Sequence, residues 1–329
     1  ITKVNGEDMT GKTISEVVKK VRGEVGTDVV LTIERAGTSL DVKLTRASIA
    51  INTVKAELDK EDATIGHVRI TSFAKNTAEE LEKAVKDLTD KGAKAFVFDV
   101  RYNPGGLLDQ AYKVANMFLK DGEPIVQVED RFGEKKIYKA SSSIGEFKIT
   151  QPYVLLVNEG SASASEILAA AIKEGAGGQI IGTKTYGKGT VQSVVDITDN
   201  SELKYTNAKW LTPKGNWIHK EGVTPTKEVN LPDYAFLKII DAKETLKVGS
   251  VSQNVLSAET ILKGLGYSVT VDGYFDEGTK DAVKSYQQKE GLTATGEVDE
   301  ESAQKLMDSV RALIQQNDTQ YQAAKELLK

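Results

Sequence analysis

The stretch that decides the fold is Asn158–Gln192, which reads NEGSASASEILAAAIKEGAGGQIIGTKTYGKGTVQ. The apolar run Tyr153–Val157 comes directly before it and predicts a buried strand. Residues 158–160 indicate a turn, and the Ala-, Ile- and Leu-rich residues 161–171 predict a helix. This order places serines at a helix N-terminus, where unpaired N–H groups and the helix dipole favour negative charge.

Two interpretations of Ser163 are open at this point. Ser163 and Glu166 fit the S-x-x-E pattern of a capping box before an apolar run. The same serine is also well placed to act as a nucleophile beside an oxyanion site. The second half of the stretch favours the catalytic interpretation, because Lys188 lies between Gly187 and Gly189. Those glycines would permit positive φ and allow a peptide backbone to pass close by.

The paired segments SASASEI and YGKGTVQ resemble the Ser–Lys core of the carboxyl-terminal processing (tail-specific) proteases. In that family the middle serine of SASAS is the nucleophile, the lysine of GKG is the general base, and the glutamine four residues later orients the lysine. By position the resemblance implies these roles for Ser163, Lys188 and Gln192. The intervals between the three residues agree with the family pattern.

The chemistry explains why these residue types occur together. A serine hydroxyl needs a neighbouring base to become a nucleophile, and lysine serves only when it is neutral. At an unperturbed pKa only about one lysine in 2,500 is neutral at pH 7. We therefore expect Lys188 to be largely buried, with no carboxylate in contact. Gln192 is neutral, and both side chains can reach one point only if the backbone bends, for which Gly189 is the expected place.

A second glycine loop is expected to complete the site. The apolar segment Ala95–Val100 predicts a buried parallel strand, and Arg101-Tyr-Asn-Pro-Gly-Gly follows it. DxRxNPGG also resembles the family segment that contributes an oxyanion N–H. By position that donor is Gly106, and the backbone N–H of Ala164 is the second. Two roles stay open for Asp99 and Arg101: holding this loop, or facing the N-terminal part of the chain.

Composition excludes several other classes of protein. The 329 residues carry a net charge of −5 and no basic stripe, which argues against nucleic-acid binding. With no cysteine and only two histidines, thiolate and His-rich metal sites are excluded, and we expect neither a metal nor a cofactor. No apolar run is long enough for a transmembrane helix. His219 remains a weaker alternative base, which would make the enzyme a Ser–His hydrolase.

The flanking regions predict further modules. Residues 1–47 predict a helix (Thr13–Val21) and a hairpin joined by Ala-Gly-Thr, and they resemble the second half of a PDZ domain, as if the chain began inside one. Residues 241–329 predict three helices joined by glycine turns, which resemble peptidoglycan-binding-like modules. A last helix, Ala312–Lys329, is too short and polar to be stable alone. We expect it to pack on something, with a second protomer as one candidate.

The predicted fold is therefore multidomain, α/β and α+β. It has a truncated PDZ domain (1–47), an α/β protease core with a mixed sheet flanked by helices (48–240, with 121–150 as a possible cap) and a helical module (241–329). The predicted function is a serine endopeptidase that cleaves near substrate C-termini through an acyl-enzyme. It would bind substrate as an added strand, form a homodimer and act outside the cell or in the bacterial envelope. The alternative is an envelope peptide- or glycan-binding scaffold with an inert site.

Overall fold

The computed structural model describes residues 1–35, 37–48, 52–198 and 201–329, and these form two compact units that divide after Asn52. The first unit is an antiparallel sheet in the order β2-β1-β3-β4 with one helix. Its elements are β1 (Lys3–Val4), β2 (Glu7–Asp8), α1 (Ile14–Val21), β3 (Asp28–Arg35) and β4 (Thr38–Thr45). The predicted helix and hairpin are both present. Ala36 of the predicted hairpin turn lies outside the described residues.

The second unit holds the remaining elements. In chain order they are β5 (Val54–Leu58), β6 (Ile65–Ile70), α2 (Thr77–Asp90), β7 (Ala95–Asp99), α3 (Leu108–Asn116), β8 (Pro124–Asp130), β9 (Lys135–Lys139), β10 (Tyr153–Val157), α4 (Ala164–Ala170), β11 (Gln179–Gly182), β12 (Thr190–Thr198), β13 (Ser201–Leu211), β14 (Lys227–Glu228), α5 (Gln253–Gly264), α6 (Glu277–Lys289), α7 (Glu300–Gln316) and α8 (Thr319–Leu328). A π-helical turn, Ala171–Gly175, continues α4, and a 3₁₀ turn spans Asp233–Phe236.

A six-stranded mixed sheet organises this unit, in the order β14-β11-β10-β7-β6-β5. Its neighbouring strands are parallel except for the β5–β6 pair. Alternate residues of β7 enter two different cores, as the two-residue period of a strand requires. Phe96 and Phe98 pack in the large core that includes residues of α2, α3 and α4, whereas Val97 packs with Ala323 and Ala324 of α8. Both faces of the sheet are therefore covered, which confirms the predicted mixed sheet flanked by helices.

A smaller antiparallel sheet, in the order β12-β13-β8-β9, carries Gln192 on its strand β12. The segment 121–150, which the sequence suggested as a cap, supplies the β8–β9 hairpin of this sheet. β12 is an edge strand and begins two residues after Lys188.

The C-terminal helices divide between two locations. Helices α5 to α7 build a core of their own that runs from Ile240 to Val310. The predicted last helix is broken, because α7 ends at Gln316 and Asp318 caps α8 by accepting from the N–H of Tyr321. Helix α8 packs on the chain's own sheet, so no second protomer is needed to cover it. Among the residues that the structure describes, no helix has the length and hydropathy needed to cross a bilayer.

Candidate active site

Ser163 is held in a conformation that differs from that of its neighbours. It immediately precedes α4 with φ 54° and ψ −111°, a backbone region that costs a non-glycine residue roughly 1–3 kcal/mol. The serines on either side are buried and serve the structure. Ser161 Oγ donates to Val100 O at 2.8 Å, and Ser165 Oγ donates to Asn103 O at 2.9 Å. Of the three serines in SASAS, Ser163 is the one that lines the cleft described below.

Glu166 ties Ser163 to the lysine segment. Its carboxylate is fully buried and accepts the Ser163 N–H at 2.8 Å, so the carboxylate half of the predicted capping box is present. It also accepts the N–H groups of Gly187 (2.7 Å) and Lys188 (2.8 Å) and the hydroxyl of Thr185 (2.6 Å). Sequence reasoning treated Glu166 only as a cap. The capping pattern was the signal that marked this residue, but nothing local in the sequence indicated its contacts with residues 185–188.

The two glycines beside Lys188 allow close packing against the chain's own segment 217–222. Gly187 has φ 89°, and a Cβ there would lie 3.0 Å from backbone atoms of residues 220–222. A Cβ on Gly189 would lie 2.9 Å from the backbone nitrogen of His219. The glycines predicted that a backbone would pass close by, and in the structure that backbone is the chain's own segment 217–222. The Lys188 carbonyl also accepts from Trp210 Nε1 at 2.8 Å, so the backbone of this residue is fixed on both sides.

The side chain of Lys188 is more exposed than the sequence predicted. Lys188 is half-buried rather than largely buried, because it lies along an open cleft. No carboxylate among the described residues lies within 4.0 Å of its ammonium group. Over the same residues, Lys188 Nζ makes no hydrogen bond to Ser163 Oγ or to the Gln192 side chain. The three side chains line one cleft, and no hydrogen bond joins Lys188 to either of the other two in the described part of the chain.

The second glycine loop abuts the serine turn. A Cβ on Gly105 would lie 2.9 Å from the Ala164 nitrogen, and one on Gly106 would lie 2.1 Å from Phe73 O. These close approaches explain why both positions are glycine, with φ of 99° and 150°. Within the described part of the chain, the N–H groups of Gly106 and Ala164 have no hydrogen-bond acceptor. Two free donors therefore lie beside Ser163.

Asn103 joins the glycine loop to the serine turn, and sequence reasoning gave it no role. Its side chain is fully buried, donates to Ile70 O at 2.8 Å and accepts the Gly105 N–H at 2.9 Å. Its own carbonyl accepts the Ala162 N–H at 3.0 Å as well as the Ser165 hydroxyl. The asparagine of NPGG was the available signal.

One cleft of about 490 Å³ brings all of the predicted site residues together. Its lining residues are Pro104, Gly105, Gly106, Leu107, Leu108, Ser163, Ala164, Ile167, Lys188, Thr190, Val191, Gln192, Val194, Lys204 and Trp210. No residue of the possible cap, 121–150, is among them. Gln192 is exposed, and the pairing of β12 is irregular between Val191 and Gln192, so the departure from a straight strand lies there rather than at Gly189.

Neither histidine lines this cleft. His219 Nδ1 accepts the Gly189 N–H at 3.4 Å, and its ring stacks on Trp217. His67 lies on β6, with Nε2 3.5 Å from Asp99 Oδ2 and its ring 4.7 Å from that of Tyr321. The geometry therefore gives no support to a Ser–His mechanism.

Comparisons with known proteins found two family models that match parts of the chain. Residues 64–229 match the model of peptidase family S41, and residues 251–306 match that of a putative peptidoglycan binding domain. The chain is 44% identical to the carboxy-terminal processing protease CtpA of Bacillus subtilis strain 168, over all of this chain and 70% of that protein. It is 38% identical to CtpB of the same strain, over 98% and 68%. Among solved structures it is similar to a photosystem II D1 C-terminal processing protease, at 33% identity over 70% of this chain and 62% of that chain, with a TM-score of 0.48.

Proposed function

The chain belongs to peptidase family S41 and is a serine-type peptidase, and from this premise we propose that it cleaves protein substrates near their C-termini. Ser163 is the nucleophile, Lys188 is the general base, and Gln192 orients the lysine. The N–H groups of Gly106 and Ala164 hold the oxyanion. The observation that carries this proposal is that all five residues line one cleft.

The proposed reaction needs only groups of the chain and water. As Ser163 Oγ attacks the scissile carbonyl carbon, the neutral amine of Lys188 takes its proton. The carbonyl oxygen becomes an oxyanion between the two free N–H groups, each of which is worth about 10²–10³-fold in rate. The C–N bond then breaks, the lysine returns the proton to the leaving amine, and an ester remains on Ser163. A water activated by the same amine hydrolyses that ester.

The lack of a hydrogen bond between the Ser163 and Lys188 side chains is compatible with this reaction. Catalytic hydrogen bonds are often long before substrate binds and shorten in the complex. The backbone of Lys188 is fixed by Glu166 and Trp210, whereas its flexible stem lies in the open cleft. We infer that substrate binding brings the amine to the serine and removes water from around it.

Other features support proposals about substrate and location. Because β12 is an edge strand and its first residues line the cleft, an extended peptide can add to it by backbone hydrogen bonds. The match at 251–306 supports a place for the enzyme at peptidoglycan, and it is compatible with the cell envelope. We keep the division into a truncated PDZ domain (1–47), a protease core (48–240) and a C-terminal module (241–329) as a proposal. The homodimer stays a prediction.

The test replaces Ser163 and Lys188 by alanine and follows cleavage of casein and of an unstructured protein by mass spectrometry. We expect both variants to lose turnover while keeping the wild-type circular dichroism spectrum. A fluorophosphonate should label the wild type at Ser163 and should not label the Ser163→Ala variant.

Lys184→Ala is the matched control, since Lys184 is an exposed lysine in the same segment. It should retain wild-type turnover. Full activity in Lys188→Ala would overturn the proposed mechanism, and a wild-type protein that binds the substrate without cutting it would favour the scaffold alternative.

A further inference from the structure

The C-terminal helix α8 reaches the base of the glycine loop. Its first turn lies against Arg101, although Arg101 and Asp318 are 217 residues apart in the chain. Arg101 comes two residues after the end of β7 and two residues before Asn103, the residue that joins the loop to the serine turn. A contact at Arg101 is therefore a contact at the start of the segment that carries a proposed oxyanion donor.

Every donor position of the Arg101 guanidinium has a partner. Nε and Nη2 donate to Asp99 at 3.0 and 2.8 Å. Nη1 and Nη2 donate to the two carboxylate oxygens of Asp318 at 2.9 and 2.7 Å, and Nη1 also donates to Gln320 Oε1 at 3.0 Å. Planar, bidentate pairing of this kind fixes orientation as well as adding energy. Asp99 supplies one half of the anchor, and α8 supplies the other half.

The loop that follows Arg101 needs such an anchor. Tyr102 has φ 58°, and Gly105 and Gly106 also lie at positive φ. A residue in a sparsely populated region stays there only when its surroundings over-determine it. Asn158 Oδ1 holds the Tyr102 N–H at 2.8 Å on one side, and the guanidinium fixes the preceding residue on the other.

We propose that Arg101 is a positioning residue for the oxyanion loop, residues 102–106, and that α8 completes its anchor, so that catalysis depends on the last twelve residues of the chain (318–329). The proposal rests on the proposed function, because it takes Gly106 as an oxyanion donor. Loss of the Asp318 and Gln320 contacts frees one side of the guanidinium and lets the loop shift away from Ala164. A misplacement of about 1 Å at a catalytic group can cost about 10²-fold in rate.

A purely structural role for α8 makes a different prediction. If the helix only covers the apolar face of the sheet, the loss of any of its contacts should lower activity only by lowering the fraction of protein that is folded. The far end of α8 offers a matched comparison, because Lys325 pairs with Asp59 and Glu61 and makes no hydrogen bond or ion pair with Arg101.

The experiment compares Asp318→Ser with Lys325→Met in the full chain. Serine preserves the helix cap that Asp318 provides, but it has no carboxylate to pair with Arg101. We expect Asp318→Ser to lower kcat about tenfold, with KM within about twofold of wild type. Lys325→Met should leave kcat and KM within about twofold of wild type. The two variants should differ in kcat in this way even if their melting temperatures are equal. Asp318→Glu should recover most of the lost kcat.

The outcomes separate this inference from the proposed function. If Asp318→Ser keeps wild-type kcat while Ser163→Ala is inactive, the positioning role is wrong and the mechanism stands. If Lys325→Met loses as much kcat as Asp318→Ser, α8 acts only as a cover and the inference fails. If Asp318→Ser does not fold, Asp318→Asn, which also preserves the cap, takes its place with the same expected direction. A Ser163→Ala enzyme that still cleaves would instead overturn the proposed function.

Discussion

At the scale of single residues, the site depends on a carboxylate that takes no part in the chemistry. Glu166 is buried and accepts four hydrogen bonds, two at each oxygen, from Ser163 and residues 185–188. All four donors face it, so only an acceptor without a hydrogen of its own fits. The carboxylate thereby fixes the backbones of Ser163 and Lys188 relative to one another.

Glu166→Gln should destabilise the protein and slow catalysis. In either orientation the amide turns an NH₂ group toward two buried donors, and each donor left without an acceptor costs about 1–3 kcal/mol. We expect the free energy of unfolding to fall by about 2–4 kcal/mol in urea titrations. At a temperature where the variant is folded, we expect the fold-change in kcat to be larger than the fold-change in KM. Glu159→Gln is the control, because Glu159 is exposed and, among the residues that the structure describes, accepts only from Thr183. An equal loss in both variants would contradict this role.

The residues found from sequence and those that were missed differ in a physical way. Ser163, Lys188 and Gly106 were predicted from short motifs that resemble those of a known family, and the structure places all three along one cleft. The half-buried state of Lys188 could not be predicted, since the width of a cleft depends on how distant segments pack. The contacts of Glu166 with residues 185–188 depend on the same packing.

At the scale of elements, α8 shows how a polar helix is stabilised by its location. The sequence predicted a helix here and indicated that it must pack on something. It could not predict the partner, because the two buried side chains of the contact, Ala323 and Ala324, are small and have no distinctive pattern. The break between α7 and α8 follows from Asp318, which caps the second helix. The sequence analysis predicted one unbroken helix from Ala312, so it anticipated neither the cap at Asp318 nor the surface on which α8 packs.

Ala324→Asp should detach α8 from the sheet. Ala324 is fully buried among apolar side chains that include Val97, Leu156 and Ile181. An unpaired charge at such a place costs about 3–5 kcal/mol, more than a helix of this size can offset. We expect amide hydrogen exchange in α8 to accelerate to the rate of an unfolded peptide, and the exposed sheet face to bind a hydrophobic dye.

Gln322→Asp introduces the same side chain on the exposed face of the same helix. It should leave exchange in α8 slow. Equal exchange rates in the two variants would mean that the helix is not held by its apolar contact with the sheet.

At the scale of the whole molecule, one buried charge network connects the middle of the chain to its C-terminus. Asp99 is 1% exposed and lies between Arg101 and His67, and Arg101 continues the network to Asp318. Burial raises the pKa of the Asp99 carboxyl, but His67 at 3.5 Å and the Arg101 guanidinium outweigh burial and hold that pKa well below its ordinary value. Of the two roles that the sequence left open for Asp99 and Arg101, these contacts favour holding the loop.

The lowered pKa of Asp99 predicts how acid changes the stability of the second unit, which contains both Asp99 and Asp318. A carboxyl whose folded-state pKa lies below its unfolded value stabilises the fold at pH values above the unfolded pKa, near 4. That contribution is lost as the pH falls toward the folded-state pKa, because the unfolded chain then binds the extra proton. We expect Asp99→Asn to be less stable than wild type at pH 6, and the difference to shrink by about 1.4 kcal/mol per pH unit below about pH 4. Urea titrations between pH 6 and pH 3 measure it. Gln320→Ala removes a hydrogen bond from Arg101 to an amide. Neither group titrates between pH 6 and pH 3, so the stability lost in this variant should not vary with pH. An Asp99→Asn difference that is equally constant would show that Asp99 does not link acid to unfolding.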